Sequence, residues 1–399
     1  MRSKLFGGIL LIAGTSIGGG MLGLPIATAQ CGLFNSCLLF IACWLYMTFT
    51  SLLILEVNLC FPRNSNMISM ARLTFGKPVE LIYWSLYLLF LYSLVAVYIA
   101  GGQDVMRGLL QLMHFSIPLW TCGIIFVILF GSIVMAGIRH VDIFNRVLMM
   151  IKMSAVLLLM LSVIPHIDPK NYFEGKMIYV LPAITVALTS FGFATIVPSL
   201  RAYFNDDHVK LRIAIIVGSF IPLVCYIAWN ASIFGLVPMQ GDFGLTRLIH
   251  LDQPITGLLD SIMHYASSNN VHLLSRVFTS ICVLTAFASV SLGLSDYLAD
   301  GFSISRKGRG EIFILAATFL PPLLIVMFYP KAFIFFLSLA GVFCTILLGL
   351  IPAAMSWHCR YVQKLNMPYQ VTGGKDSLIL TILVSILIIL IATYELLLG

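Results

Sequence analysis

Charge is what this sequence has least of. Asp, Glu, Lys and Arg make up only 10% of its 399 residues, where soluble domains carry about 25%. That scarcity excludes an ordinary soluble domain. A 60% hydrophobic content and a mean hydropathy of +1.02 point to an integral membrane protein. The short alternating segments of an outer-membrane barrel are missing too; the apolar runs are continuous and near 20 residues, so the spans are helices. The nine cysteines lack CxxC spacing. Cys37, Cys43, Cys122, Cys225, Cys282 and Cys344 sit inside apolar runs, as small hydrophobes, and neither disulfides nor a metal centre are expected. The eight histidines form no ligand constellation and no hydrolase motif is present, so no enzyme chemistry is implied. The net charge of +7 has a membrane explanation and is not a nucleic-acid signal.

Hydropathy predicts eleven spans, at 7–30, 33–58, 81–103, 119–137, 143–164, 181–200, 210–235, 273–299, 310–329, 332–356 and 377–398. Arg2 and Lys4 precede an apolar run too long for a signal peptide, so it is expected to be retained as the first span. A cytoplasmic amino terminus puts 17 of the 23 Lys and Arg residues in or beside inner loops. The exceptions are Arg107, Lys170, Lys176, Arg247, Arg276 and Lys331. This bias predicts the amino terminus inside and the carboxyl terminus outside. Residues 31–34 form a tight outer turn, 67–75 are a candidate interfacial helix, and Gly373 with Gly374 marks a turn. The largest loop, 235–272, is expected outside, either covering a vestibule or running over the surface.

Two spans are interrupted. Residues 8–30 contain Gly18, Gly19 and Gly20 at their middle, and residues 181–200 contain Ser190, Gly192 and Pro198. A lipid-facing helix gains nothing from three adjacent glycines, because each weakens it and bares backbone that hydrocarbon cannot satisfy. Paired interrupted helices are the mark of a secondary transporter, with the breaks facing a site near mid-membrane. Close packing through small residues is the alternative. One break opens each half, which divides the chain into 1–164 (spans 1–5), 165–356 (spans 6–10, with the outer loop 236–272) and 357–399 (inner loop and span 11). Each half has an odd number of spans, so the second is inverted relative to the first.

Several side chains suit transport. Freed amides at Gly18, Gly19 and Gly20, at the amino-terminal end of a half-helix, suit a carboxylate, and Thr15 and Ser16 add hydroxyls. Ser190, Phe191, Gly192 and Phe193 offer carbonyls to an ammonium and aromatic walls; the phenylalanines would serve equally as core contacts. Tyr92 falls near the middle of span three, where a phenol needs a partner in the substrate or the bundle. Tyr83 and Trp84 fit an interfacial aromatic belt. Lys152 lies roughly 15 Å into span five, too deep to snorkel easily, and is suited to load and release a proton as access alternates. Thr285, Ser289 and Ser291 supply hydroxyls that would meet that ammonium or ligate sodium, although an ammonium there disfavours sodium at the same place. Glu56 and Asp296, near inner span ends, would relay protons or close salt bridges.

The segments GTSIGGGMLGLPIATA (14–29), LLILEV (52–57), DIFNR (142–146) with Lys152, SFGFATIVPSL (190–200) and GLSDYLAD (293–300) resemble the hydroxy and aromatic amino acid permease family. The likeness is greatest to bacterial tyrosine-specific permeases, then to tryptophan permeases. It implies an all-α, eleven-helix, LeuT-like inverted-repeat fold of five plus five helices and one more. It further implies proton-coupled import of aromatic amino acids, L-tyrosine preferred, by alternating access at a bacterial inner membrane. Carried onto this chain, the backbone around Ile17, Gly18, Gly19 and Gly20 would hold the carboxylate, and Ser190 to Gly192 the amino group. The ring would lie among spans three, six, eight and ten. Lys152 would stand where a lysine replaces a second sodium site in some proton-coupled relatives of the wider superfamily. The resemblance implies no cofactor beyond the proton, and no partner beyond the substrate and the bilayer. Tryptophan or broad aromatic specificity and sodium coupling are the alternatives within transport. A channel or membrane receptor is the alternative outside it.

Overall fold

The computed structural model describes residues 2–63, 65–112, 114–115, 117–135, 138–266, 268–304, 308–329 and 332–398. Among them every regular element is helical. In chain order these are α1 (Arg2–Ser16), α2 (Gly20–Ala27), α3 (Gly32–Cys60), α4 (Met67–Phe75), α5 (Lys77–Leu112), α6 (Leu119–Met135), α7 (Ile138–Val163), α8 (Val180–Ser190) and α9 (Val197–Phe204). There follow α10 (His208–Leu236), α11 (Leu245–Leu248), α12 (Pro254–Ala266), α13 (Asn269–Gly301), α14 (Arg309–Phe328), α15 (Ala332–Cys344), α16 (Ile351–Trp357) and α17 (Gly374–Leu398). Nine described segments are long and apolar enough to cross a membrane, and α1 with α2 makes a tenth bent by 50°. The remaining expected span corresponds to α6, whose apolar part Leu119–Val134 is shorter. The chain is a multi-pass helical membrane protein. Of the charges that set the expected topology, Arg306, Lys307 and Lys331 lie outside the described residues, as do the side chains of Arg2 and Arg139 and those of Asp142, Ile143 and Arg146 in the DIFNR segment.

The two interruptions differ in kind. Three consecutive glycines stop α1 at Ser16, and the chain restarts as α2 at Gly20 after a sharp bend. Around Gly192 there is a single glycine, and the chain only tightens, into a 3-10 stretch at Gly192–Ile196. Pro198 then sits in the first turn of α9, where its missing N–H costs no helix bond.

The segment after α10 is ordered. α12 buries Pro254, Ile255, Leu258, Ser261, Ile262 and Ala266 and packs against α13, α5, α10 and α2, so it covers the bundle. α4 forms where the interfacial helix was expected, started by Asn66 accepting the Ser69 amide and ended at Gly76, whose φ of +88° suits glycine. Tyr83 corrects the sequence expectation. It is fully buried against the tenth span, its hydroxyl aimed at Leu347 O, so it is no interfacial residue. Early in α5 a packed neighbour, not the bilayer surface, takes that face.

Beyond α15 the tenth span widens into π-helical turns at Thr345–Leu350 and His358–Val362. The second carries Arg360 to Glu56 on α3. Glu56 Oε1 accepts from Ser356 Oγ and Arg360 Nε at 2.6 Å each, and Oε2 accepts from the Val371 amide at 2.7 Å and from the Arg360 guanidinium. The pair is almost wholly buried. Four donors saturate the carboxylate and tie α3, the tenth span and the segment before α17 together. Replacing one partner strands the other charge without water. Arg360→Met is therefore expected to lower stability by about 3–5 kcal/mol, read as a drop in thermal midpoint in detergent; an unchanged midpoint would contradict this role.

Candidate functional site

At the first break the carbonyls freed by the end of α1 are collected by side chains from distant helices. The Met21 amide, which a continuous helix would give to Ile17 O, bonds Gly18 O at 3.2 Å instead. Lys152 Nζ donates to Ile17 O at 2.6 Å. The hydroxyl of Tyr226, on α10, reaches Ser16 O at 2.6 Å. Lys152 is only 2% exposed. Among the described residues its hydrogen bond to Ile17 is its one hydrogen bond. A buried cation with so few partners is costly, which makes Lys152 a candidate for a functional charge.

The second break meets the first directly. A Cβ at Gly20 would lie 2.7 Å from Ser190 Oγ and 3.1 Å from Ser190 Cα, so only glycine permits this approach. Ser190 O also lies 2.8 Å from the Tyr226 hydroxyl. Ser190 Oγ itself donates back to Val186 O at 2.9 Å. The Phe191 ring meets Tyr226 edge-on at 5.1 Å, and Phe191 and Phe193 are both fully buried. Space remains beside the two breaks. A Cβ at Gly192 would meet nothing within 4 Å, and one at Gly18 would meet only Ser16 O, at 3.9 Å. Glycine backbone open to free volume, next to carbonyls and aromatic rings, suits a small molecule with a polar end and an apolar body.

Other expected residues take varied positions. Thr15 is exposed, and its hydroxyl bonds its own helix at Leu11 O and Ile12 O, 2.7 and 2.9 Å away. Ser289 is exposed and accepts from Asn145 Nδ2 at 2.7 Å. Ser291 is fully buried, its hydroxyl without a partner among the described residues. Neither serine is bonded to Lys152. Glu56 is held in the saturated network already described, and its partners come from neither break. Tyr92 donates to Ala317 O on α14 at 2.7 Å, away from the breaks. Six residues on, and so on another face of α5, Tyr98 is the phenol that meets the first break: a Cβ at Gly19 would sit 2.2 Å from its ring. Tyr98 and Tyr226 were not singled out from the sequence. Both are tyrosines in mid-span, and the argument applied to Tyr92, that a buried phenol needs a partner, applied equally to them.

Beyond Tyr98, Phe126, Phe287 and Phe319 form a run of ring contacts, 4.9 Å between the first two and 5.6 Å between the last two. Phe126 closes on Gly102, where a Cβ would come within 2.3 Å. The glycine contacts generate a direct comparison. Gly19→Ala forces the packed Tyr98 ring to move and is expected to destabilise by about 1–3 kcal/mol, whereas Gly192→Ala, entering open space, is expected to keep the wild-type thermal midpoint. Equal effects would contradict this packing.

Residues 1–392 match the model of the tryptophan/tyrosine permease family. The chain is 32% identical to the tyrosine-specific transport system 2 of Haemophilus influenzae over 98% of this chain and 96% of that protein. It is 30% identical to the tryptophan-specific transport protein of the same organism over 96% of this chain and 94% of the relative. It is 29% identical to glutamine transporter 2 of Aliivibrio fischeri over 98% and 99%. These relatives are named as transport proteins, not enzymes. With nearly its whole length matched by the family model, this chain belongs to the tryptophan/tyrosine permease family.

Proposed function

We propose that the chain is a proton-coupled symporter that imports aromatic amino acids, L-tyrosine preferentially, across a bacterial inner membrane by alternating access. The observation that carries this reading is the pairing of a buried lysine with the carbonyl of a broken helix, beside two glycines that face open space. In this reading α6 also crosses, giving eleven spans in a LeuT-like fold. Residues 1–164 and 165–356 are its inverted repeats, with the amino terminus inside and the carboxyl terminus outside. The tyrosine-specific relatives support the substrate, and the bacterial origin of the relatives supports the location.

The amides of Gly18, Gly19 and Gly20 take the carboxylate at the start of α2, where the helix dipole favours negative charge. The carbonyls of Ser190 to Gly192 take the ammonium, and Phe191, Phe193 and Tyr98 wall the ring. Lys152 carries the coupling proton, and no other cofactor is needed. Protonated, it makes a charge-assisted bond that holds the end of α1 at Ile17; deprotonated, it holds that end weakly and frees α1 to move. Ser289 and Ser291, on α13, offer hydroxyls to a departing proton. An ammonium bonded to Ile17 O supports a proton rather than sodium there, because it already provides the positive charge that a metal ion would bring. A glutamine transporter among the relatives makes the competition order part of the test.

Purified protein in proteoliposomes, given an imposed proton gradient and no sodium, is expected to accumulate radiolabelled tyrosine until an uncoupler is added. Tryptophan and phenylalanine should compete better than leucine. Lys152→Ala is expected to abolish uphill accumulation while keeping exchange. Accumulation that needs sodium would overturn proton coupling, and unchanged uphill uptake in the variant would overturn the role of Lys152.

A further inference from the structure

Tyr226 lies in the middle of α10, fully buried, with its ring edge-on to Phe191. Its oxygen is within hydrogen-bonding distance of two carbonyls, Ser16 O at 2.6 Å and Ser190 O at 2.8 Å. These are no ordinary pair of acceptors. Ser16 is the last residue of α1 and Ser190 the last residue of α8, so each carbonyl is one that the end of a helix leaves without an intrahelical partner. One phenol from a third helix thus caps both half-helices, 174 residues apart in the chain at the level of the capped serines. A phenol carries a single hydrogen, which serves one carbonyl at a time and passes to the other by rotation about the C–O bond.

We propose that Tyr226 is a positioning residue of the substrate site: its hydroxyl, shared between Ser16 O and Ser190 O, sets the spacing of the two breaks. Because the hydrogen can change partner without the ring leaving its place on Phe191, the tie persists while the breaks shift relative to one another. The effect on transport rests on the symporter reading; the tie itself does not.

The test is hydrogen–deuterium exchange on the purified full-length protein in detergent, comparing wild type, Tyr226→Phe and Tyr83→Phe. Tyr83 is an equally buried phenol aimed at a backbone carbonyl elsewhere, Leu347 O, and serves as control. Tyr226→Phe keeps the ring and removes the hydrogen. Peptides spanning 16–21 and 190–194 are expected to exchange faster together, by up to about tenfold, the size of the one buried hydrogen bond that the two breaks share, and Tyr83→Phe should leave both at wild-type rates. In proteoliposomes Tyr226→Phe is expected to raise the KM for tyrosine exchange about tenfold with Vmax within about twofold, a split that general loss of fold would not give. If Tyr226→Phe fails to fold, 4-aminophenylalanine at position 226, whose amine has two hydrogens to donate, is expected to keep both breaks at least as protected as wild type. Wild-type protection at either break in Tyr226→Phe, or lost protection with the aryl amine, overturns the proposal. Absence of tyrosine transport by the wild type would count against the symporter reading and leave the exchange readout intact.

Discussion

Backbone that leaves a helix inside a bilayer finds no water, so each carbonyl it frees must be met by the protein or by a ligand. Much of this structure follows from that constraint. Ending α1 at Ser16 frees the carbonyls of Ser16 and Ile17, and they are met by Tyr226 from α10 and Lys152 from α7. Meeting them fixes where those helices stand. α10 packs along α1 and α3, and α7 packs along α13, so the break lies among elements far apart in the chain. The glycines do more than interrupt the helix. Gly19 and Gly20 admit Tyr98 and Ser190 to distances no side chain would allow, while Gly18 and Gly192 keep their faces open. Closeness on one side and space on the other are the features on which the proposed substrate site rests.

The Glu56 network at the end of the tenth span and Lys152 at the end of α1 show contrasting uses of buried polarity. Around Glu56 every acceptor is supplied: Ser356, Arg360 and the Val371 amide saturate it, and the result is a rigid joint. Around Lys152 the donors outnumber the acceptors. A saturated pair resists change, whereas an under-coordinated ammonium gains from it, and on that asymmetry rests the coupling role proposed for Lys152.

The parts of this arrangement that a single chain segment encodes were legible beforehand. Three glycines in the middle of an apolar run mark a break whatever packs on them, and a lysine ten residues into a span is conspicuous by its solvation cost alone. The chain as a helical membrane protein and the helix at Met67–Phe75 were read from local pattern in the same way. What local pattern withheld was partnership. Tyr92 and Tyr98 are both mid-span phenols, and only the rotation of α5 against α14 and α2 decides which one bonds Ala317 and which one closes on Gly19. Tyr226 was silent because its two acceptors are backbone atoms in other helices, and backbone leaves no mark on the pattern of side chains. The covering helix α12 was ambiguous for a related reason: its apolar face is plain, but whether that face meets lipid, water or the bundle depends on how α13, α5, α10 and α2 are placed in space.

The central claim is that the two breaks together form the site for the amino acid. The most direct measurement is an experimental structure determined with tyrosine bound. Density for the amino acid is expected between residues 17–20 and 190–192, its carboxylate on the backbone amides of the first break and its ammonium on the carbonyls of the second, with Tyr226 still touching both serine carbonyls. Tyrosine bound elsewhere, with the space beside Gly18 and Gly192 filled by side chains, would contradict it.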